Sequence, residues 1–275
     1  MDRMIQVDTP VNPNAVAYDI LVIDRSGSMQ YQWSSLTTGI DTYITDLAQT
    51  RQQTGVPVFS TVIVFDSSVE ILFDFTPIEE VIPFSQMNIA PRGMTALNDA
   101  VMTAIEMLKA KIGPENLNSP DIGVNITIYT DGYENSSIRY PGAGNLEVSG
   151  YIRELQNTYH WTIAYVGAGS VEEVQQTAQD LGIPTSNIMA YSVSWDSGSE
   201  NTRAMSVARR RSLTRMSAGV SQQELSASYF SAPAQPANLH SEYLRTAINV
   251  GESQNTTNLS APPPPQTDNT TTNSV

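Results

Sequence analysis

Runs of apolar residues alternate along this chain with segments in which apolar positions recur every three or four residues. Residues 17–24 are nearly all apolar, which predicts a strand buried on both faces. Residues 33–53 carry Leu36, Ile40, Tyr43, Ile44 and Leu47 on one helical face. Residues 57–66 and 69–75 read as two strands joined through Asp66-Ser67-Ser68, a link so short that it implies an antiparallel hairpin. Helical spacing returns over 96–112 at Leu97, Val101, Ile105, Leu108 and Ile112, and 122–130 is again a strand. Beyond it, 147–158 reads as a helix and Trp161 to Val166 as a strand. A helix over 170–182 turns Val171, Val174, Ala178 and Leu181 inward; Ile188 to Val193 is a last strand and 200–217 a closing helix. Strands alternating with helices predict an α/β fold. Its sheet is doubly wound and mostly parallel, with one antiparallel edge strand and helices on both faces.

The periodic pattern ends near residue 219, which divides the chain. Residues 1–14 form a polar N-terminal arm with Pro10 and Pro13; 15–219 are the folded domain. Residues 220–252, rich in Ser, Ala, Gln and Asn, read as a partly ordered extension with a short helix near Glu242 to Ile248. Residues 253–275 hold four consecutive prolines, Pro262 to Pro265, among Thr, Asn, Gln, Ser and Asp. Such a segment buries too little apolar surface to offset its ordering entropy and is expected to be disordered. No apolar run approaches the roughly 18 residues of a membrane span. The first residues lack the apolar core of a signal peptide, so a cytoplasmic location is expected.

Composition narrows the partners. In 275 residues, 28 acidic side chains face 14 basic ones, a net charge of −14. That balance argues against nucleic acid and against an anionic membrane surface, which both require a basic face. With no cysteine, disulfides and thiolate metal sites are excluded. Against this background Arg203, Arg209, Arg210, Arg211 and Arg215 gather positive charge near the end of the last predicted helix. Dipole matching at a helix C-terminus accounts for such a cluster; a docking patch for an acidic partner or phosphate is the alternative.

The candidate chemistry lies at strand ends. Asp24, Ser26 and Ser28 follow the first strand, Asp131 follows the strand at 122–130, and Thr95 stands in Gly93-Met94-Thr95 before a helix. In an open α/β sheet, ligands bind at the carboxyl ends of strands. All five candidates offer oxygen, and neither His160 nor His240 is among them, so a hard cation such as Mg²⁺ suits the set better than zinc. Gly27 lets the backbone turn tightly between the two serines. Each piece also has a simpler local reading: Asp24, the serines and Thr95 as helix N-caps, and Asp131-Gly132 as a plain turn.

Taken in order, Asp-x-Ser-x-Ser, a distant Thr after a glycine and a Thr-Asp-Gly after a buried strand resemble the von Willebrand factor A family. The likeness covers roughly residues 15–218, and the family's metal-ion-dependent adhesion site is matched at Asp24, Ser26, Ser28, Thr95 and Asp131. The loop departs mildly from the family's usual Gly-Gly-Thr or Gly-Asn-Thr. The resemblance, to the intracellular bacterial and phage members, implies a protein-interaction module binding Mg²⁺ or Mn²⁺. Ser26, Ser28 and Thr95 would touch the ion directly, with Asp24 and Asp131 mostly behind waters. A partner's Asp or Glu would fill an open position. Rim residues 29–34, 91–94 and 132–146, with Met94 and Tyr133 beside ligands, would carry specificity.

An enzyme is not expected. A phosphohydrolase of the dehalogenase type wants an acidic residue where Ser26 stands, and a nearby Lys; Lys109 and Lys111 fall toward the far end of their helix. No phosphate-cradling Gly-rich loop with Lys is present. A structural virion or appendage component built on the same scaffold is the main alternative.

Overall fold

The computed structural model describes residues 12–191 and 197–220, together with Glu224, Ser226, Tyr229 and Phe230. The strands are β1 Val16–Asp24, β2 Val58–Phe65, β3 Val69–Pro77, β4 Ile122–Thr130, β5 Thr162–Ala168 and β6 Ile188–Tyr191. They form one sheet in the order β3-β2-β1-β4-β5-β6. β3 runs antiparallel to β2 at one edge, and the other neighbours are parallel. The helices are α1 Trp33–Thr54, α2 Leu97–Ile112, α3 Leu146–Thr158, α4 Val171–Asp180 and α5 Ser197–Ser217. The expected architecture and the antiparallel hairpin are therefore present. Residues 1–11, positions 192 and 193 of the expected last strand, the Glu242 to Ile248 helix and the proline-rich tail lie outside the described residues. Among the described residues, no helix is long and apolar enough to cross a membrane.

The apolar strands at the centre are satisfied only between two helical layers. Alternate residues of β1 serve opposite faces. Leu21 and Ile23 pack with Leu36, Ile40, Tyr43, Ile44 and Leu47 of α1 and Met205, Leu213 and Met216 of α5. Ile20 and Val22 pack with the stripe of α2, with Val148, Ile152 and Leu155 of α3, and with Val174 and Ala178 of α4. α1 is held by this burial rather than by propensity. Its Thr38, Thr42, Thr45 and Thr50 hydroxyls each bond back to the carbonyl four residues earlier.

One polar cluster interrupts the α1–α5 face. Asp19 of β1 is 0% exposed. It accepts hydrogen bonds from the Tyr43 hydroxyl and Asn125 Nδ2, all at 3.0 Å. Arg209 of α5, 2% exposed, approaches it to 2.9 Å as an ion pair. This corrects the reading of Arg209, Arg210 and Arg211 as one surface patch. Arg209 stands on the inward stripe of α5, four residues from both Met205 and Leu213. Arg211 donates to the Tyr229 carbonyl at 3.0 Å, and only Arg210 of the three is exposed.

Candidate metal centre

Asp24 closes β1 and Thr130 closes β4, and these strands are neighbours. The chain leaves β1 towards β2 and leaves β4 towards β5, so the sheet order reverses between them. A crevice opens at such a switch point, outside the carboxyl ends of the strands.

Short bonds fix the geometry there. Asp24 is fully buried; its Oδ1 accepts from the Ser26 N–H at 2.6 Å and its Oδ2 from Thr130 Oγ1 at 2.6 Å. The first bond turns the chain at once, and a 3₁₀ helix, Gly27–Tyr31, follows. Ser26 Oγ and Ser28 Oγ then lie 3.0 Å apart. Ser28 Oγ donates to Asp131 Oδ1 at 2.7 Å, and Gln32 Nε2 donates to Asp131 Oδ2 at 2.7 Å. Four of the five sequence candidates thus form one bonded chain across the β1–β4 crevice.

Thr95 comes from the third side. The Gly27 N–H donates to the Gly93 carbonyl at 3.2 Å, and the Arg92 N–H to the Arg25 carbonyl at 2.7 Å. Gly93 has φ +69°, and a Cβ there would stand 2.9 Å from Ser67 Oγ, so only glycine fits. Asn135 Oδ1 accepts from the Thr95 N–H at 2.8 Å, and the Thr95 carbonyl accepts from the N–H groups of Asn135 and Ser136. A Cβ built on Gly132 would meet Thr95 Oγ1 at 3.3 Å and Asp24 Oδ2 at 3.8 Å. All five residues therefore converge.

The simpler local readings do not account for this. Neither Ser26 nor Ala96, the residues at the N-caps of the 3₁₀ helix and of α2, makes a side-chain cap. The start of α2 is capped instead by Glu134 Oε2, accepting from the Asn98 N–H at 2.8 Å, and by Ser137 Oγ, accepting from the Asp99 N–H at 3.0 Å. The Thr95 hydroxyl, nearly buried, makes no hydrogen bond with another described residue.

The electrostatics are those of a pair of carboxylates without a counter-ion. Burial pushes Asp24 up to about 6; the bonds from Thr130 and Ser26 act against this, and the nearby Asp131 charge adds to it. Burial also raises Asp131, against the bonds from Ser28 and Gln32. Among the described residues no basic side chain forms a salt bridge with either. The adjacent Arg25 is turned away onto Asp66 and Glu70. One buried and one half-buried carboxylate, two linked hydroxyls and a third hydroxyl without a partner among the described residues make an all-oxygen donor set that fits a hard divalent cation.

No protein-family model and no curated protein matches the sequence. Solved structures do share the fold. The PilB minor pilin from Streptococcus sanguinis is similar at a TM-score of 0.54 and 14% identity, over 76% of this chain and 64% of that one. The pilus adhesin SpaC from Lactobacillus rhamnosus GG, in its open conformation, is similar at 0.53 and 14%, over 74% of this chain and 30% of that one. A von Willebrand factor type A structure from Catenulispora acidiphila stands at 0.49 and 14%, over 71% of this chain and 43% of that one. This chain therefore spans less than two thirds of the length of each. The shared architecture is the doubly wound, mostly parallel, Rossmann-like sheet.

Several positioning residues escape a reading by motif. Gln32 lies one helical turn beyond Ser28, and that spacing was the available signal. Asp66 has no sequence signature beyond a turn. Its Oδ2 accepts from Arg25 Nε at 2.9 Å and Arg92 Nε at 2.8 Å, and its carbonyl accepts from the Ala96 N–H at 2.8 Å. It ties the loop bearing Thr95 to the loop bearing Asp24. Asp99 accepts from the N–H groups of Ile138, Arg139 and Tyr140, which fastens the long loop after Asp131 to α2.

Proposed function

We propose that this domain is a metal-dependent protein-interaction module that binds Mg²⁺ or Mn²⁺ and, through it, a carboxylate of a partner protein. The observation that carries the reading is the pair of carboxylates, Asp24 buried and Asp131 half-buried, joined by serine hydroxyls and with no salt bridge to a basic side chain among the described residues. Uncompensated buried charge is costly, and a dication reverses the local sign that two carboxylates would otherwise set. Ser26, Ser28 and Thr95 would hold the ion with hydroxyl oxygen, while Asp24 and Asp131 supply the balancing charge. When bound, such an ion supplies an electrophilic position open to a carboxylate oxygen. Gln32 and Thr130 orient the two aspartates by one hydrogen bond each. Asp66, through Arg92 and the Ala96 N–H, and Asn135, through the Thr95 N–H, hold the Thr95 loop in register.

The test is calorimetric titration of the EDTA-treated protein with MnCl₂ and MgCl₂, beside Asp24→Asn and Thr95→Ala variants. A saturable heat in the wild type, lost in both variants while circular dichroism stays unchanged, supports the site. Heat no greater than dilution in the wild type removes it. The reading places no catalytic group at the site and assigns no enzymatic activity.

The pilin and adhesin neighbours favour a second reading, in which the same scaffold serves as a component of an appendage or particle. Sedimentation of the native complex distinguishes them: a soluble assembly that EDTA dissolves supports the module, and a chelator-resistant particle supports the structural role.

A further inference from the structure

We infer that the partner's carboxylate is flanked by apolar side chains, read by a rim made of Tyr31, Met94 and Tyr133. The inference rests on the metal-bridged reading above. Among the described residues, eight large hydrophobic side chains stand exposed, and these three each sit on a different ligand-bearing loop. Tyr31 is 92% exposed, Met94 52% and Tyr133 51%. Tyr31 lies three residues beyond Ser28 in the 3₁₀ helix Gly27–Tyr31. Side chains at that spacing eclipse in a 3₁₀ helix, so the ring stands on the side from which Ser28 reaches Asp131. Met94 immediately precedes Thr95, with its N–H fixed by Ser67 Oγ at 2.9 Å. Tyr133 follows Gly132, whose missing Cβ leaves room beside Thr95 Oγ1 and Asp24 Oδ2.

Charge explains why such a rim suits an acidic partner. The chain carries −14, so its long-range field repels anything acidic. The stretches Gly27–Tyr31, Gly93–Thr95 and Gly132–Tyr133 contain no charged side chain apart from the site itself. A partner that offers a lone acidic group amid apolar side chains meets little of that repulsion and gains short-range apolar contact. A densely acidic partner meets all of it. Tyrosine and methionine suit this task, because they bury large area at modest ordering cost or adapt to irregular shapes.

Two immobilised peptides of equal charge test the inference, one with glutamate between leucine and phenylalanine and one with glutamate between serines. Binding is read by surface plasmon resonance in MgCl₂ for the wild type and for Tyr31→Ser/Met94→Ser/Tyr133→Ser, with manganese calorimetry run in parallel on both proteins. The wild type is expected to prefer the apolar-flanked peptide by about tenfold or more, on the scale of burying a few exposed apolar groups. The triple variant is expected to bind both peptides alike while keeping its manganese affinity. Equal binding of the two peptides by the wild type, or binding of neither, overturns the rim assignment. Absence of manganese binding in the wild type overturns the metal reading itself. A magnesium-dependent dimer in sedimentation that the triple variant loses reassigns the rim to self-pairing, against the inference.

Discussion

At the scale of single residues, the site is built from atoms whose ordinary preferences have been set aside. Gly132 has no need of a left-handed backbone, yet a methyl group there would press on Thr95 Oγ1 at 3.3 Å. Gly132→Ala is therefore expected to weaken manganese binding by about tenfold, roughly 1.4 kcal/mol, with little change in melting temperature. Calorimetry and thermal denaturation check the two halves separately. Asp66 shows the opposite behaviour to Asp24. Burial opposes its ionisation, but hydrogen bonds from Arg92 and Ser68 and the charge of Arg25 outweigh it and hold the carboxyl at about 2, against an ordinary 3.8. A carboxylate lowered in the folded state stabilises above its unfolded value and loses that contribution as the pH falls through its folded one. Asp66→Asn should thus cost about 2 kcal/mol at neutral pH, by the usual conversion of a shifted carboxylate. The gap from the wild type should narrow between pH 4 and 2.5 in urea denaturation; a gap constant over that range would contradict the assignment.

At the scale of elements, α5 is the instructive case. A stripe of Met205, Leu213 and Met216 reads as a buried helical face, and Arg209 falls on that stripe rather than beside it. Its acidic counterpart, Asp19, interrupts an otherwise apolar strand. Either anomaly alone looks like noise in the pattern; together they signal a buried pair. Removing one member leaves the other charge buried and unpaired, which typically costs 3–5 kcal/mol. Arg209→Ala should therefore destabilise by about that amount, whereas Arg210→Ala, at an exposed neighbour, should stay within about 0.5 kcal/mol. Comparable losses for the two in chemical denaturation would show that Arg209 is not seated against Asp19. The N-terminus of α2 is the second case. The sequence suggests that Thr95 caps it, yet the cap comes from Glu134 and Ser137, nearly forty residues on. That distant cap leaves the Thr95 hydroxyl to the crevice.

For the whole molecule, charge and topology act together. The net charge of −14 opposes approach of any acidic partner, while the site is proposed to capture one. Screening length is about 10 Å at 0.1 M salt, so added salt should relieve long-range repulsion without reaching a short metal contact. Association with a net-acidic peptide is accordingly expected to speed up between 10 and 150 mM NaCl, with dissociation little changed. Stopped-flow fluorescence reads both rates, and an association rate that falls with salt would place a basic surface at the interface.

The alternation of apolar strands and amphipathic helices was legible in the sequence, because burial between two helical layers requires just that periodicity along the chain. The antiparallel edge was legible from a link too short to cross the sheet. The five oxygen donors were legible as types, four after strand ends and Thr95 in a loop before a helix. What neighbours what across the sheet was decided only in three dimensions. Strand order places β1 beside β4, and that brings Asp24 within reach of Thr130 and Ser28 within reach of Asp131, more than a hundred residues apart. The same packing buried Arg209 against Asp19 and turned Arg25 away from the crevice onto Asp66. Periodicity is a property of local backbone geometry, so one segment carries it alone. The partner of a buried charge is chosen by long-range packing, and no single segment records it.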